Sequence, residues 1–443
     1  MNQAAPTQSS NIERLTTRLQ TARNQSDGLF DIVRPEALYD RPIPERHRIV
    51  FYLGHLEAFD WNLLLGPLGL SSFDPGFDNL FAFGIDPVDG GLPTDQPMDW
   101  PKVRQVRGYN TRLRETLDRA LGTLANEDPG LMRLEYGRLL EVAIEHRLMH
   151  VETLCYMLHQ LPAYRKLRPA VPHPPSARAR VSRSVEIPAG TATLGLQRGD
   201  GSPFGWDNEF EERRVDVPAF VIDAYNVTNG DYLQFMREGG YSDPALWSDA
   251  GWEWITAQGR RHPAFWIPQG DSWYYRTMFD EIPLPPDWPV YVSHEEASAY
   301  CRWAKTELPS EAEWHRAACA TRGGSERAYP WGAGEPSSRR GNFDLQRWDP
   351  VAVGSYPAGD SDFGVADLVG NGWEWTRTPF APFPGFEAFS FYPGYSANFF
   401  DGKHFVMKGG SPRTAASMLR RTFRNWFQPH YPYVYATFRG VQR

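Results

Sequence analysis

Apolar side chains recur at helical spacing through residues 11–33, where Leu15, Leu19, Leu29 and Ile32 line up. The same spacing returns in three further stretches. Residues 42–65 predict a helix with Pro44 near its start and apolar positions through Leu65, residues 100–124 an amphipathic helix, and residues 129–161 a long one. Helices of this length joined by one long connection, residues 66–99, predict a four-helix bundle over residues 1–161. The pattern then stops. Residues 162–184 are dominated by Pro and Arg, lack apolar periodicity and predict a linker. From Val185 to the C-terminus short β-like runs alternate with tight turns and short helices, an α+β pattern. The run from Val185 to Gly195 predicts a strand–turn–strand. Residues 229–236, 293–304 and 308–318 predict helices, the last with Ser310 and Glu313 in capping-box spacing.

Composition narrows the function classes. With 443 residues the chain is long enough for separately folded domains, and a net charge of −8 argues against a broad nucleic-acid-binding surface. No run of about 18 apolar residues is present and the N-terminus lacks a basic start followed by an apolar stretch, so a cytoplasmic protein without a membrane span is expected. Cys155, Cys301 and Cys319 are too few for a disulfide framework and read as reduced, buried thiols. The 16 Trp, 20 Tyr and 26 Phe crowd toward the C-terminus, which predicts a loop-rich domain held by large rings.

Candidate chemistry lies in the bundle. His146 and His150 stand four apart on one helix, which sets two imidazoles roughly 6 Å apart on one face. His55, on an apolar helix, is the candidate third ligand, and such a triad leaves metal positions open for substrates. Neutral imidazoles alone suit zinc as well as ferrous iron. A satisfied core histidine is the plainer reading of each one separately. Glu57 and Glu152, each two residues past a histidine, face elsewhere on their helices and read as surface or outer-layer groups.

The second half carries five sequence blocks in order: PVYVSHEEASAYCRWA, LPSEAEWHRAA, YPWG, NGWEWT and MKGGSPRTA. They resemble the signature blocks of the formylglycine-generating-enzyme-like domain, a C-type-lectin-like α+β fold. Combined with a DinB-like bundle carrying His55, His146 and His150, the chain resembles the ergothioneine-pathway sulfoxide synthases and the related selenoneine synthases along nearly its whole length. That resemblance implies a mononuclear non-heme Fe(II) held by the three histidines, with dioxygen and a chalcogen donor as co-substrates. It implies hercynine, the trimethyl betaine of histidine, as the molecule that gains a carbon–chalcogen bond at imidazole carbon 2. The two domains would then enclose one site. In the block FRNWFQPHYPYVYATFRG, Asn425 would contact the hercynine carboxylate and Trp426 would face its trimethylammonium group. Tyr392 in FSFYPGYS is the candidate catalytic tyrosine, and Tyr395 joins the substrate-facing set. Formylglycine-generating enzymes use paired cysteines late in the domain, and no cysteine follows Cys319, so that activity is not expected.

Departures from the family bear on the donor. Members that use γ-glutamylcysteine hold its carboxylates with arginines after the first bundle histidine. Here residues 66–100 contain no Lys or Arg and six aspartates, Asp74, Asp78, Asp86, Asp89, Asp95 and Asp99. Phe427 stands where the family's Asp holds the donor amine, and Met149 where a polar residue often lies. These features argue for cysteine or a selenosugar instead. Aspartates facing a substrate would favour sugar hydroxyls; aspartates that merely cap turns would favour neither. The competing reading is a non-catalytic lectin-like binding protein with a structural zinc, and a zinc-dependent thiol transferase ranks below it.

Overall fold

The computed structural model describes residues 9–82, 92–127, 135–170, 183–199 and 202–443. The chain divides into two compact units, Met1–Pro169 and Ala170–Arg443.

Unit 1 is a bundle of α1 (Ser9–Asp31), α2 (Ile49–Leu64), α4 (Val103–Glu127) and α5 (Glu135–Gln160), with a short α3 (Pro75–Leu80) inside the long connection. Helix α1 packs on α5, and α2 packs on both α4 and α5. Their apolar stripes meet at Trp61, Leu113, Leu117, Leu121, Leu140, Ile144 and Val151, all of them buried. Helix α2 starts at Ile49, later than the Pro44 start that the sequence suggests. The intervening chain forms a turn instead, with Arg46 N bonded to Ile43 O at 3.0 Å, and Arg48, at the N-cap, donates to Tyr39 O at 2.7 Å and pairs with Asp95 at 3.0 Å. The expected linker also begins later: Leu167 N donates to Ile32 O at 2.7 Å and Val33 bridges Lys166, so its first residues continue the bundle. Residues 171–182 of that segment lie outside the described residues.

Unit 2 is α+β. Its central sheet has the order β10 (Asn425–Phe427), β9 (Phe405–Gly410), β8 (Gly372–Pro379), β11 (Ala436–Thr437). A second sheet joins β1 (Ser184–Ile187), β4 (Phe220–Asp223) and β12 (Val441–Gln442). The ribbon β2 (Gly190–Leu194) with β3 (Arg213–Val217), and a three-stranded sheet β5 (Trp266–Gln269), β6 (Ser272–Arg276), β7 (Glu281–Pro283), complete the strands. Helices α6 (Asn229–Arg237), α7 (Asp249–Ala257), α8 (His294–Ala304) and α9 (Glu311–Cys319) pack around them. The Ser310–Glu313 capping box opens α9, with Glu313 N to Ser310 Oγ at 3.2 Å and Ser310 N to Glu313 at 2.7 Å. Strands β1 and β2 follow one another but do not pair, because Arg316 of α9 captures the carbonyls of Pro188 (2.7 Å) and Ala189 (2.9 Å) at the turn. Beneath the central sheet, Glu374 receives Arg439 at 2.6 Å and the indole N–H of Trp314 at 3.0 Å, all buried.

Candidate functional site

Helices α2 and α5 bring His55, His146 and His150 together in unit 1. One ring nitrogen from each lies within 4.8 Å of the others, and among the described residues this is the one such cluster of metal-ligating side chains. The three ring centroids are 4.5–5.3 Å apart. Phe59 stacks on His146 at 3.4 Å and Phe51 on His55 at 4.9 Å, while Tyr52 leans against His150 at 5.7 Å. These aromatic walls strip water from the rings. Burial consequently lowers the pKa of His55 to about 4 and those of His146 and His150 well below the usual imidazole value, so all three are neutral near pH 7.

The donor chemistry suits a cation. His55 Nδ1 lies 2.7 Å from Phe81 O; a carbonyl only accepts, so Nδ1 carries the proton and Nε2 keeps its lone pair. That Nε2 is buried and unpartnered, as are Nδ1 of His146 and of His150. Unpartnered buried nitrogens are costly unless they serve to bind a ligand such as a cation. A divalent metal with imidazole affinity fits, and both zinc and ferrous iron satisfy the donor set.

Behind the triad lies a charged layer that the sequence reading did not resolve. Arg147, next to His146, is fully buried and donates to Glu57 (2.8 Å), Asp60 (2.6 Å) and the carbonyl of Leu56 (2.9 Å). Arg114 of α4 adds a second bond to Glu57 at 2.6 Å. Glu57 is therefore neither a surface group nor a histidine partner. It and Asp60 tie α2 to α5 through one guanidinium. The available signal was the neighbours of Arg147 at helical spacing, Ala143, Ile144 and Val151, all apolar, which put a basic residue on the bundle-facing stripe.

The aspartates of the long connection prove to be structural wherever they are described. Asp74 caps α3 by accepting from Phe77 N at 3.1 Å, and Asp99 accepts from Gln96 N at 2.7 Å. Asp78 is buried and accepts from Trp61 Nε1 (3.2 Å), Tyr109 Oη (2.6 Å) and Ser72 Oγ. Asp95 binds Arg41, Arg48 and the indole N–H of Trp100. Of the two meanings an acidic loop could have, turn capping and internal pairing hold for these four. Asp86 and Asp89 lie outside the described residues.

In unit 2, β10 presents Asn425, Trp426 and Phe427 at the sheet edge, each half-buried. Phe380 stacks on Trp426 at 4.1 Å with 7° between planes, Tyr395 meets it edge-on at 5.3 Å, and Phe399 lies 5.6 Å away. Tyr395 is backed in turn by Trp206 at 3.8 Å. Tyr392 is one ring further out, 5.6 Å from Tyr395, and burial pushes its phenol up to about 12. Asn425 Oδ1 accepts from Trp426 N at 2.9 Å, and Phe427 stacks on Tyr431 at 5.3 Å. Phe380, Phe399 and Trp206 were missed from the sequence, because aromatic residues are so dense in this half that spacing cannot single out a wall.

Comparison with known proteins agrees with this architecture. Residues 170–443 match the sulfatase-modifying factor enzyme 1-like domain family and residues 18–154 the DinB superfamily. The chain is 38% identical to a hercynine oxygenase of Mycolicibacterium thermoresistibile, covering 94% of this chain and 91% of that protein. It is 36% identical to the hercynine oxygenase of Mycolicibacterium smegmatis over 76% of each chain. It is also 30% identical to ergothioneine biosynthesis protein 1 of Neurospora crassa, over 92% of this chain and 55% of that one.

Proposed function

The chain belongs to the ergothioneine-pathway sulfoxide synthase family, a DinB-type bundle followed by a sulfatase-modifying-factor-like domain, and from that premise we propose that it joins sulfur or selenium to carbon 2 of hercynine's imidazole at a non-heme Fe(II) centre. The observation that carries this reading is the convergence of His55, His146 and His150 with unpartnered, neutral ring nitrogens. The names of the relatives support hercynine as substrate and an oxygenase reaction. Bound Fe(II) would supply the site at which dioxygen is activated.

The protein's own residues have separable tasks. His55, His146 and His150 hold the metal while neutral, and the aromatic rings beside them exclude water. Trp426 receives the trimethylammonium group. Because Phe380 covers one indole face, the cation sits on the other, where cation–π attraction contributes about 0.5–2 kcal/mol. Asn425 meets the carboxylate of the betaine through its side-chain amide N–H groups, which are the donors left when Oδ1 accepts from Trp426 N. Tyr392, protonated at neutral pH, is the proton donor.

For the second substrate, Phe427 in place of an amine-holding Asp argues against γ-glutamylcysteine. The engagement of Asp74, Asp78, Asp95 and Asp99 within the chain removes these four from the argument that had favoured a sugar over an amino acid. The donor is thus cysteine or a selenosugar. The deciding experiment loads the protein with Fe(II) anaerobically, adds hercynine and air, and lets cysteine, γ-glutamylcysteine and a selenosugar compete, with products resolved by mass. No coupled product from any donor would sink the proposal; preferred use of γ-glutamylcysteine would sink its donor half.

A further inference from the structure

We propose that the segment from Ser72 to Phe81 is the positioning element of the metal centre: Asp78 anchors it, and its terminal carbonyl fixes His55 with the proton on Nδ1 and the lone pair of Nε2 toward the other two histidines. This inference rests on the metal reading above.

Three observations carry it. First, Asp78 is a buried carboxylate with donors from three places. Trp61 of α2 and Tyr109 of α4 reach it at 3.2 and 2.6 Å, and Ser72 of the segment itself completes the set. Charge-assisted bonds of this kind fix α3 against the bundle. Second, α3 is capped by Phe81, whose N–H bonds back to Phe77 O at 3.0 Å and whose own carbonyl accepts from His55 at 2.7 Å. The tautomer of His55 is therefore set by main chain that Asp78 holds. Third, Phe81 seats its ring directly on the α2 backbone. A Cβ at Gly54, the neighbour of His55, would lie 2.6 Å from three atoms of that ring. The ring cannot retreat, since it is fully buried among Trp100, Phe77, Phe51 and Tyr109. Gly54 is thus the opening through which the carbonyl comes close enough to His55.

Groups that orient a ligand histidine commonly change metal affinity about 10–100-fold when removed. Alanine is also the better helix former, so Gly54→Ala loses nothing from helix propensity and isolates the clash. The experiment measures Co(II) binding to the full-length protein by equilibrium dialysis and follows the visible spectrum of the bound ion, with thermal midpoints in parallel. Gly54→Ala is expected to weaken Co(II) about 10–100-fold and to alter the spectrum. Gly54→Ala combined with Phe81→Leu, which vacates the space the new methyl needs, is expected to bind as Phe81→Leu alone does. Tyr109→Phe, which removes one Asp78 donor at small cost in volume, is expected to weaken binding several-fold with helix content kept. Parental affinity and spectrum in Gly54→Ala, or absence of rescue in the double variant, would overturn the proposal. His55→Ala separates the two levels: it is expected to bind Co(II) only at background, and parental binding there would overturn the metal reading along with this one.

Discussion

Arg147 donates to Asp60 at 2.6 Å with both side chains wholly out of solvent, one residue beyond a triad histidine. The pair joins α5 to α2, and so sets the register in which His146 and His150 face His55. Burial pushes the Asp60 carboxyl up even though Arg147 pulls it down, whereas Glu57, held by two arginines, falls to about 2. Removing the guanidinium would strand a buried charge. Arg147→Ala should therefore destabilise the protein by about 3–5 kcal/mol in urea unfolding. Arg147→Met with Asp60→Leu should recover most of that loss, because an apolar pair needs no solvation. An Arg147→Ala loss below about 1 kcal/mol would mean that the register is held elsewhere.

Stability should also respond to pH through unit 2. Asp367 is buried in a left-handed turn at φ 53° and accepts from Gly354 N; burial raises its carboxyl from 3.8 to about 6. Between those values the folded state binds more protons than the unfolded one, so stability falls as pH rises from about 4 to about 6. The full penalty, about 3 kcal/mol, is present above pH 6. Asp360 is raised to about 6 as well, with a smaller effect because it is less buried. Asp367→Asn tolerates the same backbone and still accepts from Gly354. It should flatten most of this slope and raise stability at pH 7, as denaturation curves at pH 4, 5, 6 and 7 would show. An unchanged slope would place the titration outside Asp367.

The bundle was legible because helical periodicity is local: the expected helices over 11–33 and 100–124 correspond to α1 and α4 within a few residues, and the one over 129–161 to α5 from Glu135 on, its residues 129–134 lying outside the described residues. The His146–His150 spacing was legible for the same reason, and His55 followed from its apolar helix. What escaped was set by long-range contacts. Nothing near Asp78 in sequence signals that Tyr109, 31 residues on, will bind it, and so the loop's aspartates read as facing a substrate or capping turns. Nor does Gly54 advertise Phe81. In unit 2 the Ser310–Glu313 capping box and the strand–turn–strand over Val185–Gly195 were readable, but the partners of β1 and β2 were not, because Arg316, which binds the turn between them, lies far along the chain. Local grammar predicts elements; side chains arriving from elsewhere decide which elements meet.

Trp426 gives a prediction about substrate charge. If its indole meets the trimethylammonium group, Trp426→Ala should weaken hercynine about 2- to 30-fold. The comparison that matters is histidine, which has the same imidazole and carboxylate but no quaternary ammonium. Its weak binding should change little. Calorimetric titration of both ligands on parent and variant checks this, and equal losses for the two would assign Trp426 to packing against Phe380 and Phe399 instead.

Tyr392 and Tyr395 can be separated by deleting one hydroxyl at a time. Tyr395 touches Trp426 with its ring, so Tyr395→Phe keeps the contact and should leave hercynine affinity and kcat within about twofold of the parent. Tyr392 stands a ring further out, with a phenol held protonated by burial up to about pH 12. It therefore stays protonated across the neutral range, as the proposed proton donor must, and no change in solution pH below 10 should empty it. A positioned acid commonly contributes about 10²–10⁴-fold to a rate. Tyr392→Phe should therefore lower kcat by about 100-fold or more while the Kd for hercynine stays fixed, a split that a loosened aromatic wall would not give, since a looser wall weakens binding first. Steady-state rates on the iron-loaded variants, beside calorimetric Kd values, measure both quantities. Parental kcat in Tyr392→Phe would reduce that residue to packing and leave the proton to come from solvent.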